Sequence, residues 1–498
     1  MTKYPDLRRV VDAKYSEPKQ PLYKGNPYIE ALPDNQSNEE IYQSLLVRIP
    51  YDEEERELPS HERIASVSSL QFCFQPLSEH FILAQRFSRA IKMGYVQRNP
   101  LDAEDVRQQM QLYNCVIEKD FNFQSLSFTN AVAPGFSVIG YSGMGKTSVV
   151  KRVLSIYPQI IRHTDYKGIP INKAQIVWMK LNCSHDGSVK GLCLDFFKEF
   201  DKLTGDNAYS KYSGKTTNQM IPEMALMARR HGLGVLIIDE IQFLNAAKSG
   251  GYEKALNYII DLVNIGVPVI LVGTPEAIAV LSDNLMNARR NTGMEGAVIM
   301  DFLSRTSPDW KTLMNHVWGY QWTAVKTELS EEILDMIHEK SIGDVEVAMK
   351  LYMATQVRAI RQGESNRSEI ITPELIARVF ESKDFKLVRD KLEEIKYSKK
   401  LYEESLLSKQ NMRNKKRSDV AFYKMPLQKD HVFREESEPQ VKQKGSKGKR
   451  GPTHEQHILI SQVKNNNIAL SGDKVQSNIS AEERLYNAGK IVKPEDEF

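Results

Sequence analysis

The feature that most constrains this chain is an eight-residue loop with a strand pattern before it and a helix pattern after it. Residues 140–147 read Gly-Tyr-Ser-Gly-Met-Gly-Lys-Thr, matching the GxxxxGK[ST] pattern of a phosphate-cradling loop. The apolar run Phe136-Ser137-Val138-Ile139 leads in, and helical periodicity from Ser148 to Ile156 leads out. Glycines let the backbone curl until successive N–H groups face inward at phosphate oxygens. Here the cradle would be formed by Gly140, Ser142, Gly143, Met144, Gly145, Lys146, Thr147 and Ser148. The N-terminus of the following helix adds partial positive charge. Lys146 is expected to reach the β and γ phosphates of ATP, and Thr147 to ligate Mg²⁺ through its hydroxyl.

A second motif lies some ninety residues on. Residues 235–240 read Val-Leu-Ile-Ile-Asp-Glu. Four apolar residues predict a strand buried on both faces, which delivers Asp239 to the sheet edge where ligands of open α/β sheets bind. Asp239 is expected to hold the Mg²⁺ and its waters, and Glu240 to accept a proton from the attacking water. Together the two motifs resemble the AAA+ class of P-loop ATPases. That class carries a polar "sensor 1" residue at the next strand end, and Thr274, after Leu271-Val272-Gly273, fits it. Thr274 also fits an ordinary helix N-cap before Pro275 and Glu276. Arg289 and Arg290 follow where such proteins present an arginine finger to a neighbour's nucleotide, worth about 10³–10⁵ in rate. Their plain alternative is a solvated pair; a true finger would make hydrolysis require an oligomer.

At 498 residues the chain is too long for one core. Candidate strands at Phe136–Gly140, Gln175–Leu181, Val235–Asp239, Pro268–Gly273 and Ala297–Phe302 alternate with amphipathic stretches such as Leu192, Phe196, Phe197 and Phe200. This alternation predicts a parallel five-stranded sheet covered on both faces. The fold class expected is therefore α/β: an AAA+ P-loop ATPase with a helical N-terminal extension, a helical lid and a disordered C-terminal tail. The expected division is 1–120, an N-terminal arm and helical domain; 121–309, the nucleotide-binding core; 310–400, the lid; and 401–498, a basic partner-binding tail. Residues up to about 45 read as an extended arm with little core of its own, residues 66–95 as helical, and Asp52-Glu53-Glu54-Glu55 as a solvated turn or helix face.

The net charge is only +3, but residues 396–450 hold 16 Lys/Arg against 7 Asp/Glu, an excess of nine. Few large apolar residues follow position 400, so the tail cannot offset its ordering entropy. Short apolar islands at Val420–Tyr423 and His457–Ile460 are candidate docking points for partner proteins. Cysteines 73, 115, 183 and 193 form no CxxC pair and read as reduced, mostly buried thiols. No signal-peptide core and no long apolar run is present, which predicts a cytoplasmic protein with no membrane partner.

Several segments resemble the TnsC family, the AAA+ regulators of Tn7-like, in some cases CRISPR-associated, transposons. They are Tyr23-x-Gly25-Asn26-Pro27 with Ile29-Glu30-Ala31-Leu32-Pro33; Phe74-Gln75-Pro76-Leu77; and Gly94-Tyr95-x-x-Arg98-Asn99-Pro100-Leu101. Within the core they are Gln175-Ile176-Val177-Trp178, Asp186-Gly187-Ser188-x-Lys190-Gly191-Leu192-Cys193-Leu194, and Val272-Gly273-Thr274-Pro275. The resemblance runs through most of residues 20–400. It implies a homo-oligomeric ring or filament on double-stranded DNA, coupling a target-selector protein or RNA-guided complex to transposase subunits. By similarity Lys190 and Thr216 would touch the DNA backbone without reading bases, with Lys215 and Lys211 as weaker neighbours. Each has a plain reading as a surface loop residue. One departure is visible: Gly343-Asp344-Val345-Glu346-Val347-Ala348 lacks the lid arginine called sensor 2. Lys350 or Arg358 substitutes, or the contact is absent and hydrolysis is slow, as suits a switch.

Other classes fit less well. A helicase loader or replication-initiator relative often carries an added DNA-reading domain, and none is evident. A scaffold that binds ATP without hydrolysing it has no need of Glu240. A transposase needs three separated carboxylates on an RNase H-like sheet, and this sheet is occupied by nucleotide motifs.

Overall fold

A computed structural model describes residues 10–118, 133–183, 187–246, 266–277, 296–397 and 399–400. The chain divides into two units, Met1–Arg417 and Ser418–Phe498, and every described residue belongs to the first. Its strands are β1 (Val10–Asp12), β2 (Phe136–Gly140), β3 (Ile160–Tyr166), β4 (Ile169–Ile176), β5 (Trp178–Asn182), β6 (Val235–Asp239), β7 (Val269–Gly273) and β8 (Ala297–Met300). Five of them form an all-parallel sheet in the order β5-β6-β7-β2-β8. This is the expected parallel sheet. β1, β3 and β4 form a separate three-stranded sheet that the sequence patterns did not announce.

The helices of the N-terminal half are α1 (Pro27–Glu30), α2 (Asn38–Leu45), α3 (Ser60–Val67), α4 (Ser78–Val96), α5 (Ala103–Glu118) and α6 (Lys146–Leu154). Then come α7 (Val189–Thr204), α8 (Ala208–Tyr212) and α9 (Thr217–Arg230), followed by α10 (Pro308–Trp318), α11 (Glu331–Ser341), α12 (Val345–Gly363) and α13 (Pro373–Phe380). None of the described helices is long and apolar enough to cross a membrane.

Successive strand residues face opposite ways, so a strand apolar throughout must be covered twice. Val235 and Ile237 of β6 join Phe136, Val138, Ile270 and Val272 on one face, beneath α4 and α6. Leu236 and Ile238 join Met179, Leu181, Val269 and Leu271 on the other, beneath α7 and α9. Leu192, Phe196, Phe197 and Phe200 all lie buried there, as their spacing predicted.

Three expectations need correction. The run Gln175–Leu181 is not one strand: Gln175 pairs with Ile161 in the small sheet, whereas Trp178 pairs with Val235 in the large one. The chain changes sheets at Val177, a switch of partners that leaves the apolar pattern unbroken. The helical stretch at 66–95 is interrupted between Phe72 and Ser78, where Pro76 lacks an N–H and pushes Gln75 out of helical geometry. The arm also has more core than its composition suggested. Tyr28, Ile29, Leu32, Ile41 and Leu45 are buried against α4 and the sheet.

Helices α10 to α13 share their own apolar cluster, centred on Trp310, Leu351, Tyr352 and Ile360. Ile49, Val67, Leu70 and Leu77 join it from the N-terminal half. Arg63 of α3 clasps Glu369 through two hydrogen bonds, 2.6 and 2.9 Å, with both side chains buried. The acidic run at 52–55 is a solvated 3-10 turn (Glu53–Glu57) capped by Asp52. Cys183 and Cys193 are buried, and Cys73 and Cys115 only half-buried.

Candidate nucleotide site

The loop between β2 and α6 is shaped by its glycines. Gly143 and Gly145 have φ of +92° and +75°, a region that L side chains enter only with strain. A Cβ on Gly143 would also lie 3.0 Å from Glu346 Oε2 and 3.2 Å from Lys391 Nζ. The left-handed backbone is what calls for glycine here. Ser142 and Ser148 are exposed, Met144 is buried, and α6 begins at Lys146 with Gly145 as its N-cap.

Lys146 is buried, and its ammonium donates to the Tyr141 carbonyl at 2.8 Å. Burial lowers its pKa, and the carboxylates of Glu240 and Asp239 pull the other way. Thr147 Oγ1 donates to Asp239 Oδ2 at 2.8 Å. Asp239 is 2% exposed at the end of β6. Its Oδ1 accepts the Glu240 N–H at 3.0 Å, and its Oδ2 also forms an ion pair with the Lys180 ammonium at 2.8 Å. The two motifs are thus brought together as their order along the chain predicted.

Glu240 has a φ of +59°, a conformation that non-glycine residues adopt at some cost and that concentrates at functional sites. Its carboxylate accepts a hydrogen bond from Gln242 Nε2. Gln242 Oε1 in turn accepts the Thr274 N–H at 3.2 Å. One glutamine side chain therefore ties the expected base to the end of β7. Gln242 and Lys180 were both missed from sequence. Gln242 follows Glu240 by two residues in a short 3-10 turn, Ile241–Ala246, and carries no signal of its own. Lys180 was legible as a lysine in an otherwise largely apolar strand.

From the C-terminal helices, Glu346 and Lys391 reach the loop at Gly143, and Asp344 caps α12 by accepting the Val347 N–H at 3.0 Å. Lys350 forms an ion pair with Glu346, and Arg358 is exposed further along α12. Lys391, whose ammonium stands beside Gly143, lies on the helical stretch 386–397. Ile395 of that stretch packs with Tyr141 and Met144, and the Tyr141 ring stacks on Phe302 at 5.5 Å.

The donor set fits Mg²⁺. A hydroxyl and a carboxylate converge at 2.8 Å, and hard oxygens are what that ion selects, with one or two protein ligands and the rest from phosphates and water. Among the described residues no group of three His, Cys, Asp or Glu side chains gathers as an all-protein metal cage.

Lys190 is exposed in the first turn of α7. Lys215 and Thr216 are exposed just before α9, where Thr216 shares a capping box with Gln219. Both helices cover the same sheet face. Lys211 sits over the Tyr212 ring. Arg289, Arg290, Asp186 and the whole tail from residue 401 lie outside the described residues.

No curated protein matches the chain. Among solved structures, the Orc1 protein of Aeropyrum pernix in complex with DNA is similar at 13% identity and a TM-score of 0.34, over 55% of this chain and 63% of that one. The chain thus spans less than two thirds of that protein's length. A RuvB mutant of Thermotoga maritima is similar at 16% identity and a TM-score of 0.29, over 56% and 70% of the two chains. A Walker-type ATPase of Pyrococcus abyssi is similar at 16% identity and a TM-score of 0.33, over 56% and 75%. Residues 134–281 match the family model described as an AAA domain. With its parallel sheet in the order β5-β6-β7-β2-β8 and the glycine loop between β2 and α6, this chain carries an AAA domain on an AAA+ P-loop fold.

Proposed function

We propose that this chain is an ATP-hydrolysing regulator of DNA transposition, which oligomerises on double-stranded DNA and couples a target selector to transposase subunits. The ATPase half rests on one observation: Thr147, Asp239, Glu240 and Lys146 meet at one sheet edge. In this reading Lys146 turns from the Tyr141 carbonyl to the β and γ phosphates of ATP, and the loop from Gly140 to Ser148 cradles them. Thr147 and Asp239 would hold Mg²⁺, which when bound would neutralise charge on the phosphate oxygens. Glu240 takes the proton of the attacking water while Gln242 keeps its carboxylate in line with Thr274. Arg289 or Arg290 of a neighbouring subunit stabilises the transition-state charge.

The transposition half rests on the TnsC-like segments. Two that are distant in sequence form one structural feature: Asn26 Nδ2 donates to the Tyr95 carbonyl at 2.7 Å, and Asn99 Nδ2 to the Gly25 carbonyl at 3.0 Å. Lys190, Lys215 and Thr216 would contact the DNA backbone, and the basic tail would dock partners. The division at residues 120, 309 and 400 belongs to the same reading. A separate apolar cluster around Trp310 and Leu351 supports a distinct lid, with Ile49 to Leu77 added to it.

Electron microscopy on a random-sequence duplex tests this, with ATP, ADP or a non-hydrolysable analogue. Ordered rings or filaments are expected with ATP, retained in Glu240→Gln and lost in Lys146→Ala. Nucleotide binding without any nucleotide-dependent DNA assembly would leave the ATPase standing and overturn the transposition reading. Loading of a helicase without such assemblies would favour the helicase-loader alternative.

A further inference from the structure

We infer that Lys180 is a built-in counter-cation of Asp239 that competes with Mg²⁺ for the same carboxylate oxygen, and so sets how much free Mg²⁺ the protein needs to hold ATP. The inference rests on the nucleotide-binding reading above. Lys180 lies in β5, opposite Ile237 of β6, and Asn182 lies opposite Asp239. Residues two apart in a strand share a face, so Lys180 and Asn182 stand on the same side of the sheet as Trp178, which is buried among the residues under α4 and α6. The flanking residues Met179 and Leu181 point to the other face.

A lysine 14% exposed at its side chain needs a partner. Lys180 has two: Asp239 Oδ2 at 2.8 Å and Asn182 Oδ1 at 2.6 Å. The first is the oxygen that also accepts the Thr147 hydroxyl. Asp239 therefore has its charge neutralised from within the protein, on the side that faces Thr147. A divalent cation held by Thr147 and Asp239 would meet an ammonium already seated on that oxygen, and like charges at such separations repel strongly in a partly buried site. For Mg²⁺ to bind, the ammonium must leave Oδ2, and Asn182 offers it a resting place on the same strand. The ion pair thus opposes Mg²⁺ entry and favours its release.

The test is a fluorescence titration of the full chain with a labelled ATP across a range of free Mg²⁺. Removing the charge in Lys180→Met, or keeping a neutral N–H donor in Lys180→Gln, is expected to lower the half-saturating Mg²⁺ by about tenfold, the part of the repulsion left after the ammonium has moved to Asn182. Lys180→Arg should stay near wild type. Because Asp239 is left buried without its partner, both neutral variants should also melt at lower temperature without Mg²⁺ and recover with Mg²⁺ and nucleotide. This second readout holds even where affinity is hard to fit. Normal ATP binding with an unchanged or raised Mg²⁺ requirement in both neutral variants overturns this inference alone. A wild-type chain that binds no labelled ATP at any Mg²⁺ overturns the nucleotide reading and this inference with it.

Discussion

Thr147 Oγ1 and Asp239 Oδ2 are 2.8 Å apart although 92 residues separate them in sequence. The hydroxyl is presented by the first turn of α6 and the carboxylate by the last residue of β6, a strand separated from β2 by β7 alone. The contact thus measures how well the sheet registers the two motifs.

Removing that hydroxyl should weaken Mg²⁺-dependent ATP binding. The hydroxyl is one of the two protein oxygens expected to hold Mg²⁺, so Thr147→Ala should lose roughly one to two decades of affinity at fixed Mg²⁺. Thr147→Ser keeps the oxygen and should remain close to wild type. Isothermal titration calorimetry measures both. Equal affinity in the alanine variant and the wild type would remove Thr147 from the site.

A pH-dependent stability is expected at Asp344. Burial, aided by nearby Glu346, pushes its pKa from 3.8 to about 6, against the pull of the Val347 N–H. A folded-state value above the unfolded one means that its stabilising contribution is complete below about pH 4 and is lost as pH rises through 6. Asp344→Asn keeps a side-chain oxygen for the α12 cap and removes the buried charge. It should be more stable than wild type at pH 8, by up to about 2–3 kcal/mol, and the difference should vanish toward pH 4. Thermal melts at the two pH values decide it; an advantage of the same size at both would refute the role of the charge.

The clasp between Arg63 and Glu369 should be costly to break from one side. Both side chains are buried, and Arg63 also donates to the Trp322 carbonyl at 2.9 Å. Arg63→Ala leaves an uncompensated carboxylate, which costs about 3–5 kcal/mol. Replacing both residues by apolar ones of similar size should recover much of that loss. Urea denaturation of the two single variants and the double variant gives the coupling. Additive losses would show that the pair does not act as a unit.

The nucleotide site was legible in sequence to the extent that its parts are local. The glycine loop needs positive φ at Gly143 and Gly145, and only glycine enters that region freely, so the requirement is written into residue identity. The run Val235–Asp239 is apolar throughout because both faces are covered. Such signals depend on neighbours a few residues away, and they survive in any one-dimensional reading.

Contacts between strands were not legible. No pattern in the chain says that Gln242 will span Glu240 and Thr274, because a glutamine has the same identity on a surface as in a site. The sensor-2 gap at Gly343–Ala348 was visible, but the ammonium beside Gly143 belongs to Lys391, some forty residues beyond it. The arm's burial was hidden for a related reason. Asn26 looks like a loop residue until its amide meets the Tyr95 carbonyl.

The sequence by itself determined the class of fold, the alternation of strands and helices around the two nucleotide motifs, and which residues are expected to face a phosphate, since periodicity and glycine placement are properties of the chain. Only the tertiary structure decided that Lys180 sits on Asp239 Oδ2, that Ile49, Val67, Leu70 and Leu77 pack with helices α10 to α13, and that the chain changes sheets at Val177. The physical reason is that an ion pair, a buried cap or a strand register is a relation between distant positions, set by how the sheet and helices close on one another.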